Sequence, residues 1–196
     1  MTLVDDRIEM ADTDDKRTLD NLFEVFEQTP AFEGYRIEVV EGSVHMVPQR
    51  AVHWEIIFEI ARTLDRAFGK DAKIFSDVRI DFPGAENAFC PDVAKLRDGA
   101  EPDGEEHWRY QDVEFVAEVI SRSTGRNDYG PKKTAYAVAG VPVYLVADPY
   151  QRKCHLYTEP EDGDYAKEVT VTFGTELDLK ETPLGLTIPT DRFPSD

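Results

Sequence analysis

Residues Glu114–Pro149, EFVAEVISRSTGRNDYGPKKTAYAVAGVPVYLVADP, decide the fold class. The segment opens as an apolar strand, passes through a polar loop, becomes a helix and ends as a second apolar strand, Val143–Val146, closed by Asp148-Pro149. Strand, helix, strand is the signature of a sheet with a covering helix. Within the first strand, alternate residues share a face. Val116, Glu118 and Ile120 point one way, and Phe115, Ala117, Val119 and Ser121 the other. Both faces are mainly apolar, as in a central strand, yet one of them carries Glu118. A charge buried without a partner is very costly, so this carboxylate needs a cation, a metal or a proton.

A second acid marks the margin of another apolar strand, in Pro91-Asp92-Val93-Ala94-Lys95-Leu96. If the two strands are neighbours, Asp92 and Glu118 converge on one hard cation. Mg²⁺ commonly takes one or two carboxylates and completes its shell with water and substrate phosphate. Each acid also has an ordinary reading. Glu118 suits a buried pair with Lys or Arg, and Asp92 suits a turn after proline.

The flanking sequence supplies the rest of the domain. Thr18–Gln28 places Leu19, Leu22, Phe23 and Phe26 at helical spacing, with Pro30 as a stop. Tyr35–Val40 and Val44–Val47 read as a hairpin. Ala51–Phe68 is the clearest helix, with Ile56, Ile57, Ile60, Ala61, Leu64 and Phe68 on one stripe and Gly69 beyond it. Lys73–Phe82 alternates as a strand, and an acidic loop follows over 98–108. The last fifty residues read as a β meander, with strands at Lys153–Thr158, Tyr165–Phe173 and Leu186–Ile188. The expected architecture is α/β (α+β): a central mixed sheet flanked by helices. Residues 1–16 are expected to form an acidic, disordered tail and 17–196 a single domain.

Composition narrows the function classes. Hydrophobic residues make up 41% and aromatics 11% of 196 residues, enough for one sizeable core. No apolar run of about 18 residues predicts a membrane span, and the first residues do not read as a signal peptide. Cys90 and Cys154 form no metal-binding spacing and read as reduced thiols of a cytoplasmic protein. The formal charge of −18 opposes simple electrostatic binding to nucleic acid, which relies on Lys and Arg. The acids concentrate in the first 20 residues, in Asp98–Glu106 and in Glu159–Asp164, which leaves room for a local basic groove.

Pro91-Asp92 followed 26 residues later by Glu118 resembles the PD-(D/E)xK nuclease pattern, although Ile120 stands where that pattern has Lys. The longer run Ala117-Glu118-Val119-Ile120-Ser121, Asp128, Lys132, Tyr136, Gly140-Val141-Pro142, Tyr144 and Asp148-Pro149 resembles the Uma-two family of restriction-endonuclease-like proteins. The likeness spans about residues 18–190 and is most specific over 117–149. It implies a restriction-endonuclease-like fold and a Mg²⁺-dependent endonuclease, with Mn²⁺ as an alternative ion. Asp92 and Glu118 would be metal ligands and catalytic residues, and Lys132 would be the amine moved from strand to helix. Glu38 and His53 match auxiliary positions. The implied partner is nucleic acid, DNA first, and a homodimer would address two strands. Departures are Arg122, Leu145 and the acidic 98–106 loop.

Asp128, Lys132 and Tyr136 are spaced by four and share one helix face, whereas Lys133 points about 100° away. Against these roles stand plainer ones: a solvated Lys132, an N-cap Asp128 (the preferred reading of that residue), a packing His53, a solvent-facing Glu38, and core aromatics at Tyr136 and Tyr144. Ser121-Arg122-Ser123-Thr124 suits a phosphate loop and a polar turn equally. Two rival functions stay open. One is a catalytically inactive nuclease fold used for binding or assembly. The other is an acidic protein-interaction module.

Overall fold

The computed structural model describes residues 16–29, 35–48, 50–84, 86–103, 107–122 and 125–195. All of the expected tail except Lys16 lies outside them. Lys16 opens α1 (Lys16–Glu27), whose Leu19 and Phe26 pack on Val39, Val44 and Ala88. The hairpin follows as β1 (Tyr35–Val40) and β2 (Ser43–Pro48), paired antiparallel. Next comes α2 (Ala51–Phe68), ended by Gly69 at φ 80°, a left-handed conformation that glycine adopts without a Cβ clash.

The expected strand over 73–82 is two strands in two different sheets. β3 (Ile74–Phe75) pairs with β6 (Val93–Leu96), whereas β4 (Ile80–Phe82) pairs with β5 (Asn87–Phe89). The chain turns between them at Asp77, whose φ is 58° and whose N–H donates to Pro91 O. Local alternation could not show this switch, because β3 and β4 each keep apolar residues facing a core. The end of the 98–108 loop also carries structure. There β7 (Trp108–Arg109) lies parallel to β4, and residues 104–106 are outside the described set.

β8 (Val113–Val119) is the central strand of a six-stranded sheet ordered β11-β10-β9-β8-β6-β3. Its parallel neighbour β9 (Val143–Asp148) is reached through α3 (Gly125–Tyr129) and α4 (Pro131–Val138). The meander continues antiparallel through β10 (Lys153–Glu161) and β11 (Asp164–Thr172). A small pair, β12 (Leu177–Asp178) and β13 (Thr187–Ile188), closes the chain. The other large sheet runs β2-β1-β5-β4-β7.

The two faces of β8 enter two cores. Phe115, Ala117 and Val119 pack with Ile56, Ile57, Ile60 and Leu64 of α2. Val116 and Ile120 pack with Tyr136 and Tyr144 on the face that carries Glu118. Each fully buried aliphatic side chain contributes roughly 1.5–3 kcal/mol, so β8 is held firmly on both sides. Cys90 and Cys154 are buried free thiols. Among the described residues, no helix is long and apolar enough to cross a membrane.

Candidate active site

The strand pairing brings the first two acids together. Val93 of β6 stands opposite Ala117 of β8, which places Asp92 beside Glu118. Backbone amides then fix both carboxylates. The Val119 N–H donates to Asp92 Oδ2 at 2.6 Å, and the Asp92 N–H reaches Glu118 Oε2 at 3.4 Å. Asp92 thus stands at a bend after proline, with its carboxylate and its N–H both turned to the Glu118–Val119 strand end.

Lys132 arrives from the covering helix. It is 1% exposed, which excludes the solvated reading. Its Nζ donates to Glu38 Oε1 at 2.9 Å and Oε2 at 3.1 Å, and lies 2.7 Å from Glu118 Oε1. Asp128 Oδ1 is 3.4 Å away. Lys133, one residue on, pairs instead with the exposed Asp164 at 2.7 Å. Asp128 does not cap the helix: Gly130 holds that position without a side-chain cap, and Asp128 is buried in the separate α3. The Gly130-Pro131 break explains why, since proline starts a new helix at its first turn.

Glu38 comes from the other large sheet, so the site forms where the two sheets meet. The Cys90 N–H donates to Glu38 Oε1 at 3.0 Å. The solvent-facing reading of Glu38 is excluded by its 2% exposure. His53, in the first turn of α2, is buried and has Nε2 3.0 Å from Ile120 O, at the strand end rather than on an acid. Burial lowers its pKa, which keeps the imidazole neutral near pH 7.

Two contributors were not singled out from sequence as part of the site. Tyr136 donates its hydroxyl to Glu118 Oε1 at 2.6 Å, so the aromatic is packed in the core and also bonded to the site. Arg36, two residues before Glu38 on the same face of β1, binds Asp92 Oδ1 through Nη1. The same nitrogen reaches Asp77 Oδ1 at 3.3 Å and Cys90 O at 3.4 Å. The Arg36-x-Glu38 spacing was the available signal, because strand alternation places both residues on one side. Of the polar run after β8, Ser121 is buried and Arg122 lies over the Tyr150 ring at 5.1 Å, while residues 123–124 are outside the described set.

The charges do not balance. Glu38, Asp92, Glu118 and Asp128 are buried against two cations, Arg36 and Lys132, which leaves two negative charges over when all are ionised. The excess sets the direction in which the carboxyl groups shift. Burial pushes the Glu118 carboxyl up to about 8 despite Lys132, with Glu38, Asp92 and Asp128 adding to the rise. Burial likewise lifts Asp128 to about 6. Glu38 goes the other way: burial would raise it, but Lys132 and Arg36 together hold it below the usual carboxylate value. Lys132 stays charged, because its three acids outweigh the burial that would discharge it.

A model of the Uma2 family, described as "Putative restriction endonuclease", matches residues 23–191. The chain belongs to the Uma2 family. A crystal structure of "a putative nuclease belonging to DUF820" from Anabaena variabilis superposes with a TM-score of 0.67 at 13% identity, over 89% of this chain and 96% of that one. At that identity the likeness concerns the fold, which is restriction-endonuclease-like. No curated protein matches the chain. In this Uma2 chain Ile120 packs in the apolar core, and the amine comes to the acids from α4.

Among the described residues, no three His, Cys, Asp or Glu side chains surround a common cation position. Lys132 stands between Glu38 and Glu118, and Arg36 is bound to Asp92. The donor chemistry nevertheless fits a hard divalent ion. The acids offer carboxylate oxygens, and their excess of two charges equals the charge of Mg²⁺. Of the two Glu118 oxygens, Oε1 meets Lys132 and Tyr136, whereas Oε2 accepts a long bond from the Asp92 N–H.

Proposed function

We propose that the protein is a Mg²⁺-dependent endonuclease that hydrolyses phosphodiester bonds in nucleic acid, with DNA as the first expectation. The observation that carries this reading is the buried group of four carboxylates with two cations at the end of a rigid central strand. Asp92 and Glu118 would hold the ion, with Mn²⁺ as a substitute, and Glu38 would be the auxiliary acid. When bound, the ion would lower the pKa of water and polarise a phosphoryl oxygen.

The chain's own residues supply the remainder. Lys132, fixed between Glu38 and Glu118, would hold the attacking water or offset charge developing on phosphate. Tyr136 and Lys132 both bind Glu118 Oε1, which leaves Oε2 turned toward Asp92. His53 fastens α2 to the end of β8 and so keeps the strand end in register. A homodimer would present two such sites to two strands.

A second reading, a nuclease fold used only for binding, is favoured by one fact: each acid already has an internal partner. One experiment separates the two. Plasmid nicking in Mg²⁺ or Mn²⁺ is expected from the wild type and is expected to fall at least about a hundredfold in Asp92→Asn and Glu118→Gln, the scale of losing one main electrostatic group. Calorimetric Mn²⁺ titration should weaken in parallel. Nicking and ion affinity that survive both substitutions would exclude catalysis at this site.

A further inference from the structure

Arg36 is the site's unassigned cation. Its side chain is 8% exposed. Nη1 serves Asp92 Oδ1, Asp77 Oδ1 and Cys90 O, three acceptors for two hydrogens. Nε is buried and has no acceptor among the described residues. A guanidinium with its donors arranged in a planar fork is suited to bidentate binding of carboxylate or phosphate. Among the described residues the fork makes its contacts through one nitrogen, and a buried donor without a partner there is an unfavourable arrangement.

Asp92 gives the complementary view. Oδ2 is taken by the Val119 N–H, so Oδ1, the oxygen bound to Arg36, is the one that an incoming ion would share. The guanidinium and a divalent ion therefore compete for one atom. Lys132 differs in this respect. It is tied to Glu38, Glu118 and Asp128, and losing one partner leaves it two.

We propose that Arg36 is an internal stand-in for the divalent ion at Asp92, and that once the ion takes Asp92 Oδ1 the released guanidinium fork binds the phosphodiester of the substrate. Arg36 is then a substrate-binding residue that the ion-free site stores on its own metal ligand. Asp77 is the waiting point: it is part-exposed, it stands in a left-handed turn held by Pro91 O, and it keeps Arg36 near the site after Asp92 is lost. The inference rests on the metal-dependent reading above. It goes further in naming the phosphate-binding group and in giving metal binding an intramolecular competitor.

The direction of the effect makes the test sharp. A merely structural Arg36 would, on removal, loosen Asp92 and weaken ion binding. A competitor would, on removal, strengthen it. Calorimetric titration of the full chain with Mn²⁺ at pH 8 is expected to show Arg36→Met binding at least about tenfold tighter than wild type. The same variant, with Ca²⁺ present to avoid turnover, is expected to bind a short DNA duplex at least about tenfold more weakly. Ion affinity that is equal or lower in folded Arg36→Met overturns the inference, while loss of ion binding in Glu118→Gln still upholds the metal site itself. Should Arg36→Met not fold, the wild type carries the test. With ¹⁵N-labelled arginine, the Arg36 Nε–Hε resonance, assigned with Arg36→Lys, is expected to move on adding Mn²⁺'s diamagnetic substitute Mg²⁺, and again on adding the duplex. A resonance that ignores both ligands overturns the inference.

Discussion

Lys132→Met is expected to lower folding stability by about 3–5 kcal/mol, the usual cost of stranding buried charges by removing their partner. The substitution keeps most of the side-chain volume and removes only the charge, so packing loss is a minor part. What remains is Glu38, Glu118 and Asp128 facing one another in the dry junction of two sheets, with Arg36 alone to offset them. Urea denaturation at pH 7.5 measures the effect. Lys133→Met is the matched control on the same helix. Its partner Asp164 is largely exposed, so that loss should stay within about 1 kcal/mol. On the proposed function, cleavage by folded Lys132→Met is expected to fall at least about a hundredfold. A Lys132→Met protein as stable as the Lys133→Met control would remove the electrostatic account of the site.

The contrast between these lysines shows what local pattern can and cannot carry. A carboxylate inside Phe115-Val116-Ala117-Glu118-Val119-Ile120 is legible because every neighbour declares burial, and the structure leaves it 1% exposed. Asp92 was legible from its place before an apolar strand, and α2 from its unbroken stripe. Lys132 needed both helical spacing and the family resemblance, since Pro131-Lys132-Lys133 offers two amines of equal composition. Arg36 was missed because its partners, Asp77 and Asp92, lie 41 and 56 residues away. A half-buried strand gives no local sign of which distant acid will meet its cation. The Lys73–Phe82 segment failed for a related reason. Alternation reports which residues face inward, and it is silent on which sheet receives them. For Asp128, the four-residue spacing was real, but the cap assignment assumed one continuous helix where Gly130-Pro131 makes two.

In EDTA, the protein is expected to lose stability as pH rises from about 5 to about 8.5. This reverses the behaviour of a protein held by salt-bridged carboxylates of depressed pKa. The cause is the excess of acid over base in the site. Glu118, raised to about 8, and Asp128, raised to about 6, hold protons in the folded state that the unfolded chain releases near pH 4. Where the folded state binds more protons, stability falls with pH. Their contribution is complete below the unfolded values and is lost as pH passes through about 6 and then about 8. Glu38 works in the opposite sense, because its depressed value adds stability above the normal carboxylate range and gives it up in acid. It is therefore already ionised across this window, and His53, whose lowered pKa adds stability as pH rises through the ordinary imidazole value, offsets only part of the fall. The loss should be on the order of a few kcal/mol, because each tenfold gain in proton affinity on folding corresponds to about 1.4 kcal/mol. On the proposed metal-dependent reading Mg²⁺ would replace those protons as the balancing charge, so millimolar Mg²⁺ is expected to restore most of the loss at pH 8.5 and little at pH 5.5, by preferential binding to the folded state. Glu118→Gln supplies the internal check, since a neutral amide has no proton to lose there and should flatten most of the EDTA curve. Urea midpoints at pH 5.5 and 8.5, with and without Mg²⁺, decide the matter. A midpoint that climbs with pH in EDTA would mean that the internal cations already satisfy the acids and leave no charge for a divalent ion to meet.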